Sequence, residues 1–570
     1  MVDRGSGETV ERFHFEMSLR DFYTQRLKRG IVRRLNNLKI ASFAREVARK
    51  EPQPNGAPVV FFKASTGIYD LSWNSGFHLL ASWALRLKGI PVAYFACNAG
   101  MSKCVLGTDR DHPHKAMPCK SCVYQSKTLY TGTQVDRYTG TQVDRYTGTQ
   151  AKKSSVHWFD FERDAELVSR ISPLSVPQLS TFHFQDMPLG PLCLPGLRWI
   201  LRIHHLNDDE NTRYLLREYI LSAWNVARRF SDFLDRTQPR AVVVFNGQFF
   251  PEATARFIAR QRGIRVITHE VGLQPASAFF TDGEATAYPI HIPDDFELND
   301  AQNAKLDAYL AKRFQGDFTM AGIKFWADMR RLDESLLQKA AGFRQIVPVF
   351  TNVIFDTSQP HANTVFEDMF DWLDLVLEVI KEHRETLFVI RAHPDELRVR
   401  KSSRETVEGW VSSRGVDKEP NVVFVGPRET LSSYELIQKS RFVMIYNSTI
   451  GLEASIMGAP VLCAGKARFT HATQPTVFFP QTVEDVRRKM KEFLEAEKIE
   501  VPPEFKRNAR RFLYYQLFRT SLPFGDFLEP SVRTTQTRLK SFTLDELMES
   551  DAVKTILDGI LKDGDFLLEE

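Results

Sequence analysis

Phe442-Val-Met-Ile-Tyr-Asn447-Ser448-Thr449-Ile-Gly451-Leu-Glu453-Ala-Ser-Ile-Met-Gly458-Ala-Pro460-Val461-Leu462 reads as a strand, a hydroxyl-bearing helix start, a short helix closed by glycine, and a second strand. The apolar run ending at Ile445 is too short for a helix and does not alternate, which is the pattern of a strand buried on both faces. Asn447, Ser448 or Thr449 would cap the following helix, and Gly458-Ala-Pro460 ends it. Strand, loop, helix, strand is the repeating unit of a parallel, doubly wound sheet.

The same unit recurs outward in both directions. Upstream, Val347–Phe350, Leu387–Ile390 and Val422–Val425 are further short apolar runs. Helical segments near 365–383, 402–414 and 431–440 separate them. Earlier still, Val59–Phe62, a Ser65-Thr66-Gly67 turn, a helix over about 76–88 and Val92–Cys97 form one βαβ unit. Ala241–Phe245, Asn246-Gly247, a helix to about Arg262 and Arg265–Thr268 form another. The expected fold is α/β: two Rossmann-like doubly wound domains facing each other across a cleft. The expected divisions are a basic N-terminal segment (1–55), a first Rossmann-like acceptor domain (56–335) and a second, donor domain (340–500). A helical extension (501–570) completes the chain, and its aromatic stretch Arg510–Phe518 is a candidate bridge back to the first lobe. Within the first domain an inserted loop (97–150) carries a polar repeat: Tyr130–Arg137 recurs as Tyr138–Arg145 and begins again at Tyr146. Units this polar bury no core, so the repeat reads as an expanded surface loop.

A chain of 570 residues with 43% hydrophobic and 26% charged residues has ample core for two domains. Its net charge of +4 gives no electrostatic footprint of a dedicated nucleic-acid binder. Charge is concentrated in residues 18–50, with ten Lys and Arg against Asp21 and Glu46. There Leu27, Ile31, Leu35 and Leu38 recur at helical spacing, so that segment is either a helix touching anionic lipid or a solvated helix packed on its own domain. No run of about 18 apolar residues marks a membrane span, and the first residues lack the apolar core of a signal peptide. The expected location is cytoplasmic, at or near the inner face of the membrane.

Open α/β sheets bind ligands at the carboxyl ends of their strands. There the second lobe carries Arg391-Ala-His393-Pro394, where proline holds His393 out of helical conformation at the strand tip. An imidazole and a guanidinium so placed suit phosphates, although His-Pro also makes an ordinary turn. Ser448 and Thr449 at a helix start suit an anion, because the N–H groups there are unpaired and the helix dipole favours negative charge. Glu453, one turn in, is a ribose-hydroxyl acceptor or simply a complement to the dipole. In the first lobe Asn246, Gly247, Ser65, Thr66 and Gly67 would shape the acceptor side of the cleft. His269 and Glu270 are the candidate catalytic bases, since an inverting sugar transfer needs an imidazole or carboxylate facing the acceptor hydroxyl. Either residue would equally serve as a structural strand end.

Thr351-Asn352-Val-Ile-Phe-Asp356, Arg391-Ala-His393-Pro394 and the Asn447–Val461 stretch together resemble the donor-binding lobe of capsule polysaccharide biosynthesis proteins, glycosyltransferases of the two-Rossmann GT-B architecture. The resemblance spans roughly 340–475. It implies donor contacts at Asn352, Asp356, Arg391, His393, Pro394, Asn447, Ser448 and Thr449. His393, Ser448 and Thr449 would meet the phosphates, as the His-Pro and Ser/Thr motifs do in bacterial sialyl- and Kdo-transferases, and Glu453 would hold the ribose. The implied activity moves a sugar, hexosyl or ulosonyl, from a nucleotide-sugar donor to a surface polysaccharide or lipid-linked acceptor, with no required cofactor. A CDP-polyol phosphotransferase or a nucleotide-sugar epimerase of the same fold, and a metal-binding interaction protein on a degenerate GT-B body, stand as alternatives.

Cys97, Cys104, Cys119 and Cys122 fall within 26 residues, with His112 and His114 between them. A Cys-x-x-Cys pair plus two more thiols could hold a structural zinc or an iron–sulfur cluster, though the spacing fits neither standard template closely. A reduced, loop-stabilising group or a redox pair is the other reading.

Overall fold

The protein is described from a computed structural model over residues 19–63, 67–68, 70–131, 134–135, 142–143, 155–315, 331–397, 402–533 and 535–570. Ser65 and Thr66 lie outside the described residues, as does most of the repeat.

Two sheets carry the architecture. The strands in chain order are β1 (Val59–Lys63), β2 (Val92–Cys97), β3 (Gln134–Val135), β4 (Gln142–Val143), β5 (Ser155–Phe159), β6 (Ala241–Phe245), β7 (Arg265–Val271) and β8 (Ser277–Thr281). They continue with β9 (Gln345–Phe350), β10 (Thr386–Arg391), β11 (Val422–Val425), β12 (Val443–Ile445), β13 (Val461–Cys463), β14 (Leu522–Pro523), β15 (Leu528–Pro530) and β16 (Thr537–Leu539). The first sheet has the order β14-β8-β7-β6-β1-β2-β5 and the second the order β11-β10-β9-β12-β13. Counted along the chain, the second sheet and the parallel part of the first both run 3-2-1-4-5. This is the mononucleotide-binding half of a doubly wound fold, with its switch point between strands 1 and 4.

Both sheets are buried on two faces, which explains the unbroken apolar runs. Val60 and Phe62 point to a core closed by the long helix Glu210–Thr237. Val59 and Phe61 point to the opposite core, built with the helices Leu19–Lys50 and Trp73–Leu87. In the second lobe Leu387 and Val389 pack on one side, Phe388 and Ile390 on the other.

The last seventy residues differ from a purely helical extension. The helix Pro503–Tyr514 packs on the second lobe. The chain then adds β14 antiparallel to β8 at the edge of the first sheet and forms the β15–β16 hairpin. Ala552, Val553, Ile556 and Ile560 complete the first lobe's core. The return to the first lobe is made by β14 and the final helices, and the stretch 510–518 leads into it, with the Tyr515 ring against Phe296 and Arg510 paired with Asp307. β5 and β8 were not anticipated: His157 and Thr281 interrupt their apolar pattern, and β8 follows β7 too closely for a crossover helix. Two copies of the polar repeat pair with each other, Gln134 opposite Val143 and Val135 opposite Gln142.

Candidate functional site

Between the lobes lies a cavity of about 1460 Å³. The carboxyl ends of β9, β10, β12 and β13 open into it, so loops distant in sequence share one space. Asn352 and Asp356 come from the loop after β9, His393 from that after β10, and Asn447, Ser448 and Thr449 from that after β12. At the switch point the Asn447 N–H donates to Asn352 Oδ1 at 3.3 Å, which ties the two switch-point loops together.

The helix Ile450–Met457 starts at this wall, and Thr449 makes no side-chain cap hydrogen bond. Ser448 and Thr449 line the cavity at the positive end of this helix's dipole, while the Gly451 and Leu452 N–H groups close onto the Ser448 and Thr449 carbonyls, each at 3.1 Å. Gly451 is closely packed: a Cβ there would sit 2.3 Å from Ile445 Cδ1, so a larger residue makes the Ile445 side chain shift. Gly458, at φ +89°, ends the helix in left-handed conformation. His393 accepts the Asp395 N–H at Nδ1, 3.2 Å, and Pro394 opens the short turn Pro394–Leu397 behind it. Burial holds the His393 imidazole below its usual pKa, against Asp395 and Asp356, which raise it. At neutral pH it is an uncharged hydrogen-bonding group.

Sequence reasoning missed the cavity's cations. Lys466 and Arg468 follow β13 and line the cavity, as does Arg202 from the first lobe. Arg468 lies over the Tyr288 ring at 4.4 Å and Arg202 over Trp199 at 3.9 Å. The strand-end rule that selected His393 would have selected Lys466 and Arg468 had it been applied to the last strand. His361 lies 2.9 Å from the Thr286 hydroxyl, and the Gln248 amide donates to the Thr357 carbonyl at 3.0 Å. Both contacts cross from one lobe to the other. An anion here would meet a helix start, two hydroxyls, an uncharged imidazole and three basic side chains.

Several expected site residues lie elsewhere. Arg391 is buried and donates to the Leu431 carbonyl; burial lowers its pKa to about 10. It braces the end of β10 instead of gripping a ligand, because an inward side chain at a strand end packs under the next loop. Glu453 is 3% exposed, ion-paired with Arg313 at 2.5 Å and bonded to the Tyr434 hydroxyl, so it is consumed structurally and is not open to a ribose. One turn into the helix, its side chain faces the neighbouring helix Asp300–Phe314.

The proposed bases are likewise turned away. His269 is fully buried, its Nε2 2.9 Å from His78 Nδ1 and its ring stacked on Phe280. Burial holds both imidazoles well below their usual pKa. Glu270 accepts from Asn246 at 2.9 Å, from Asn74 at 3.3 Å and from its own neighbour's N–H at Val271, 3.1 Å. Asn246, 1% exposed and at φ +62°, also accepts the N–H groups of Gln248 and Phe249. Gly247, at φ +79°, continues that tight turn, and Gly67, at φ +115°, lies against the Asp70 carbonyl. Neither these two glycines nor Asn246, His269 and Glu270 line the cavity.

A separate clasp holds the lobes. His205 lies 2.8 Å from Asp368 at Nε2 and bonds Glu405 at Nδ1. These two carboxylates, as hydrogen-bond acceptors, raise its pKa to about 10. Among the described residues, His204, His205 and Asp368 form the one group of three ligand-type side chains with atoms mutually within 4.8 Å; the imidazolium already satisfies the carboxylates there. No helix among the described residues is long and apolar enough to cross a membrane.

Residues 323–473 match the family described as capsule polysaccharide biosynthesis protein. Protein FixF of Sinorhizobium fredii (strain NBRC 101917 / NGR234) is 25% identical over 228 residues, 39% of this chain and 48% of that protein. The chain thus spans about half the length of the curated relative it matches. Among solved structures, Thermosulfurimonas dismutans KpsC, a beta Kdo 2,4 transferase, superposes with a TM-score of 0.33 at 11% identity, covering 54% of this chain and 87% of that one. UDP-GlcNAc 2-epimerase from Neisseria meningitidis, bound to UDP-GlcNAc, gives 0.24 at 17% identity over 52% and 81%. Structural likenesses this slight carry no information about substrate.

Proposed function

We propose that this chain, whose residues 323–473 match capsule polysaccharide biosynthesis proteins, is a glycosyltransferase that moves a sugar from a nucleotide-sugar donor to a surface or capsular polysaccharide or its lipid-linked precursor. The observation that carries this reading is the convergence of His393, Ser448 and Thr449 on one interlobe cavity at the switch point of the second sheet. In this reading the start of the helix Ile450–Met457 and the two hydroxyls hold the donor phosphate, and His393 donates a hydrogen bond to it. Lys466 and Arg468 neutralise the charge that grows on the phosphate as the glycosidic bond breaks. That role is filled by side chains and a helix dipole, so no metal is required.

The test is titration with CMP-, UDP-, GDP- and CDP-linked sugars, followed by product analysis with labelled donor. Binding of one class that fails in Ser448→Ala and His393→Ala supports the assignment. Intact binding in both variants defeats it, and alteration of the free donor without an acceptor makes the chain an epimerase.

The basic helix Leu19–Lys50 supports a place at the inner face of the membrane. Its second half packs Ile40, Phe43 and Val47 into the first lobe. Its first half leaves Leu27, Ile31 and Leu35 at 68%, 52% and 60% exposure, flanked by exposed Lys28 and Arg34. An apolar stripe edged with cations fits an anionic lipid surface. Co-sedimentation with anionic but not zwitterionic vesicles, lost in Ile31→Glu/Leu35→Glu, is the expected result. Equal recovery with both vesicle types removes the membrane from the proposal.

A further inference from the structure

Four of the six cysteines meet at one point of the first lobe, away from the interlobe cavity. Cys97 ends β2, Cys104 lies on the loop that follows, and Cys119 and Cys122 occupy the first turn of the helix Cys119–Thr131. All four line a single cavity of about 30 Å³, whose remaining walls include Ile68, Met101, Leu106, Met117 and Val123. One water needs roughly half that space and two or more polar partners. An apolar, sulfur-walled cavity of this size suits something other than water.

Burial pushes the Cys97, Cys104 and Cys119 thiols up, Cys104 to about 12, and backbone N–H groups oppose this in part. The Gly100 N–H donates to Cys97 Sγ at 3.1 Å, and the Gly107 N–H to Cys104 Sγ at 3.3 Å. A Cβ on Gly107 would stand 3.2 Å from the Cys104 sulfur and 3.1 Å from that of Met117, so glycine lets the backbone close on the sulfur. Two buried ammonium groups lie within electrostatic reach: Lys63, whose charge meets Glu252 and Glu270 before Cys122, and Lys103, whose charge meets Glu218 before Cys104, Asp109 and Cys119. None of the four cysteines is in a disulfide. The intervening histidines are turned away, His112 toward solvent beside Asp109 and His114 against the Tyr214 ring.

The separation of the sulfurs argues against a single zinc. A single zinc with four Zn–S bonds of 2.3 Å holds its tetrahedral sulfurs about 3.8 Å apart. Among the described residues no three of these cysteine sulfurs lie mutually within 4.8 Å. A four-iron cube carries one thiolate on each iron corner, so its four sulfurs stand farther apart around a larger centre. We infer that Cys97, Cys104, Cys119 and Cys122 ligate a four-iron iron–sulfur cluster, which pins the 97–122 loop to the end of β2. The inference does not depend on the transferase reading.

The full chain, purified without oxygen, should contain about four iron and four acid-labile sulfide per molecule, the composition of such a cluster. It should also show the broad visible absorption of sulfide-to-iron charge transfer. Cys119→Ser/Cys122→Ser should lose iron, sulfide and colour, whereas Cys463→Ala, changed at a buried cysteine of the other lobe, should keep all three. About one zinc per chain without sulfide, or neither iron nor sulfide in the unmodified chain, overturns the inference, and neither result requires the variants to fold.

Discussion

The two lobes share a strand order and therefore a switch point, yet the two switch points are built differently. In the second lobe the loops after β9 and β12, joined by the Asn447–Asn352 hydrogen bond, leave Asn352, Asn447, Ser448 and Thr449 on the wall of a large cavity. In the first lobe Lys63 ends β1 and Asn246 directly follows β6, and they are 3% and 1% exposed. Lys63 lies 4.6 Å from the Phe245 ring, and Asn246 spends its side chain on the turn and on Glu270. Topology nominates both strand-end regions; the proposed ligand site is the one where Ser448 and Thr449 line an open cavity. The same distinction separates Ser448, which faces the cavity, from Glu453 on the same helix, which faces a buried arginine.

The sharpest way to break this comparison is to attack the spent residue. Arg313→Ala strands Glu453 without its partner in the interior and should cost about 3–5 kcal/mol of stability, read by urea denaturation. A variant of unchanged stability with lost nucleotide affinity would return Glu453 to the binding site. Next, Ser448→Ala and Thr449→Ala should each lower nucleotide affinity about 10–100-fold, the worth of a hydrogen bond to a charged group, with the melting temperature of the ligand-free chain nearly unchanged. Calorimetric titration checks this, and unaltered affinity would make the open switch point as inert as the closed one. Gly451→Ala should cost about 1–3 kcal/mol through overpacking against Ile445. Its donor affinity should also fall as the helix start is pushed off β12, measured on the same two instruments.

The smallest effect is in pH dependence, where two histidine groups act with opposite sign. His205 has its pKa raised to about 10, so its contribution is complete below about pH 6.5, the ordinary imidazole value, and is lost as pH rises through about 10. Buried His78 and His269 have lowered values, so their contribution is present above about pH 6.5 and lost as pH falls below it. Urea midpoints across that range should decline at both ends. His205→Gln should flatten only the alkaline arm, and an alkaline decline that survives the substitution would remove the clasp from the account.

Much of the lobe architecture was legible because buried parallel strands leave a local trace: short unbroken apolar runs such as Leu387–Ile390, punctuated by glycine and helical segments. β5, β8 and β14 left none. Ser155–Phe159 mixes polar and aromatic residues, and Leu522–Pro523 is a strand only because β8 offers it an edge. The cavity wall was half legible. His393 and Ser448 could be found from strand ends, and Lys466 and Arg468 by the same rule, but Arg202 and His361 reach the cavity through helix ends whose placement depends on lobe packing.

Sequence by itself determined the doubly wound lobes, the glycines at Gly451 and Gly458, and the residue types at each strand end, since these follow from hydrophobic period and backbone sterics within a few residues. Tertiary structure alone decided which polar side chains were already partnered. Glu453 and Arg313 are 140 residues apart, and His269 and His78 are 191 apart. No local pattern encodes such pairings. A buried charge or imidazole takes whichever partner the packed chain brings within hydrogen-bond distance, and that choice fixes what is left to face a ligand.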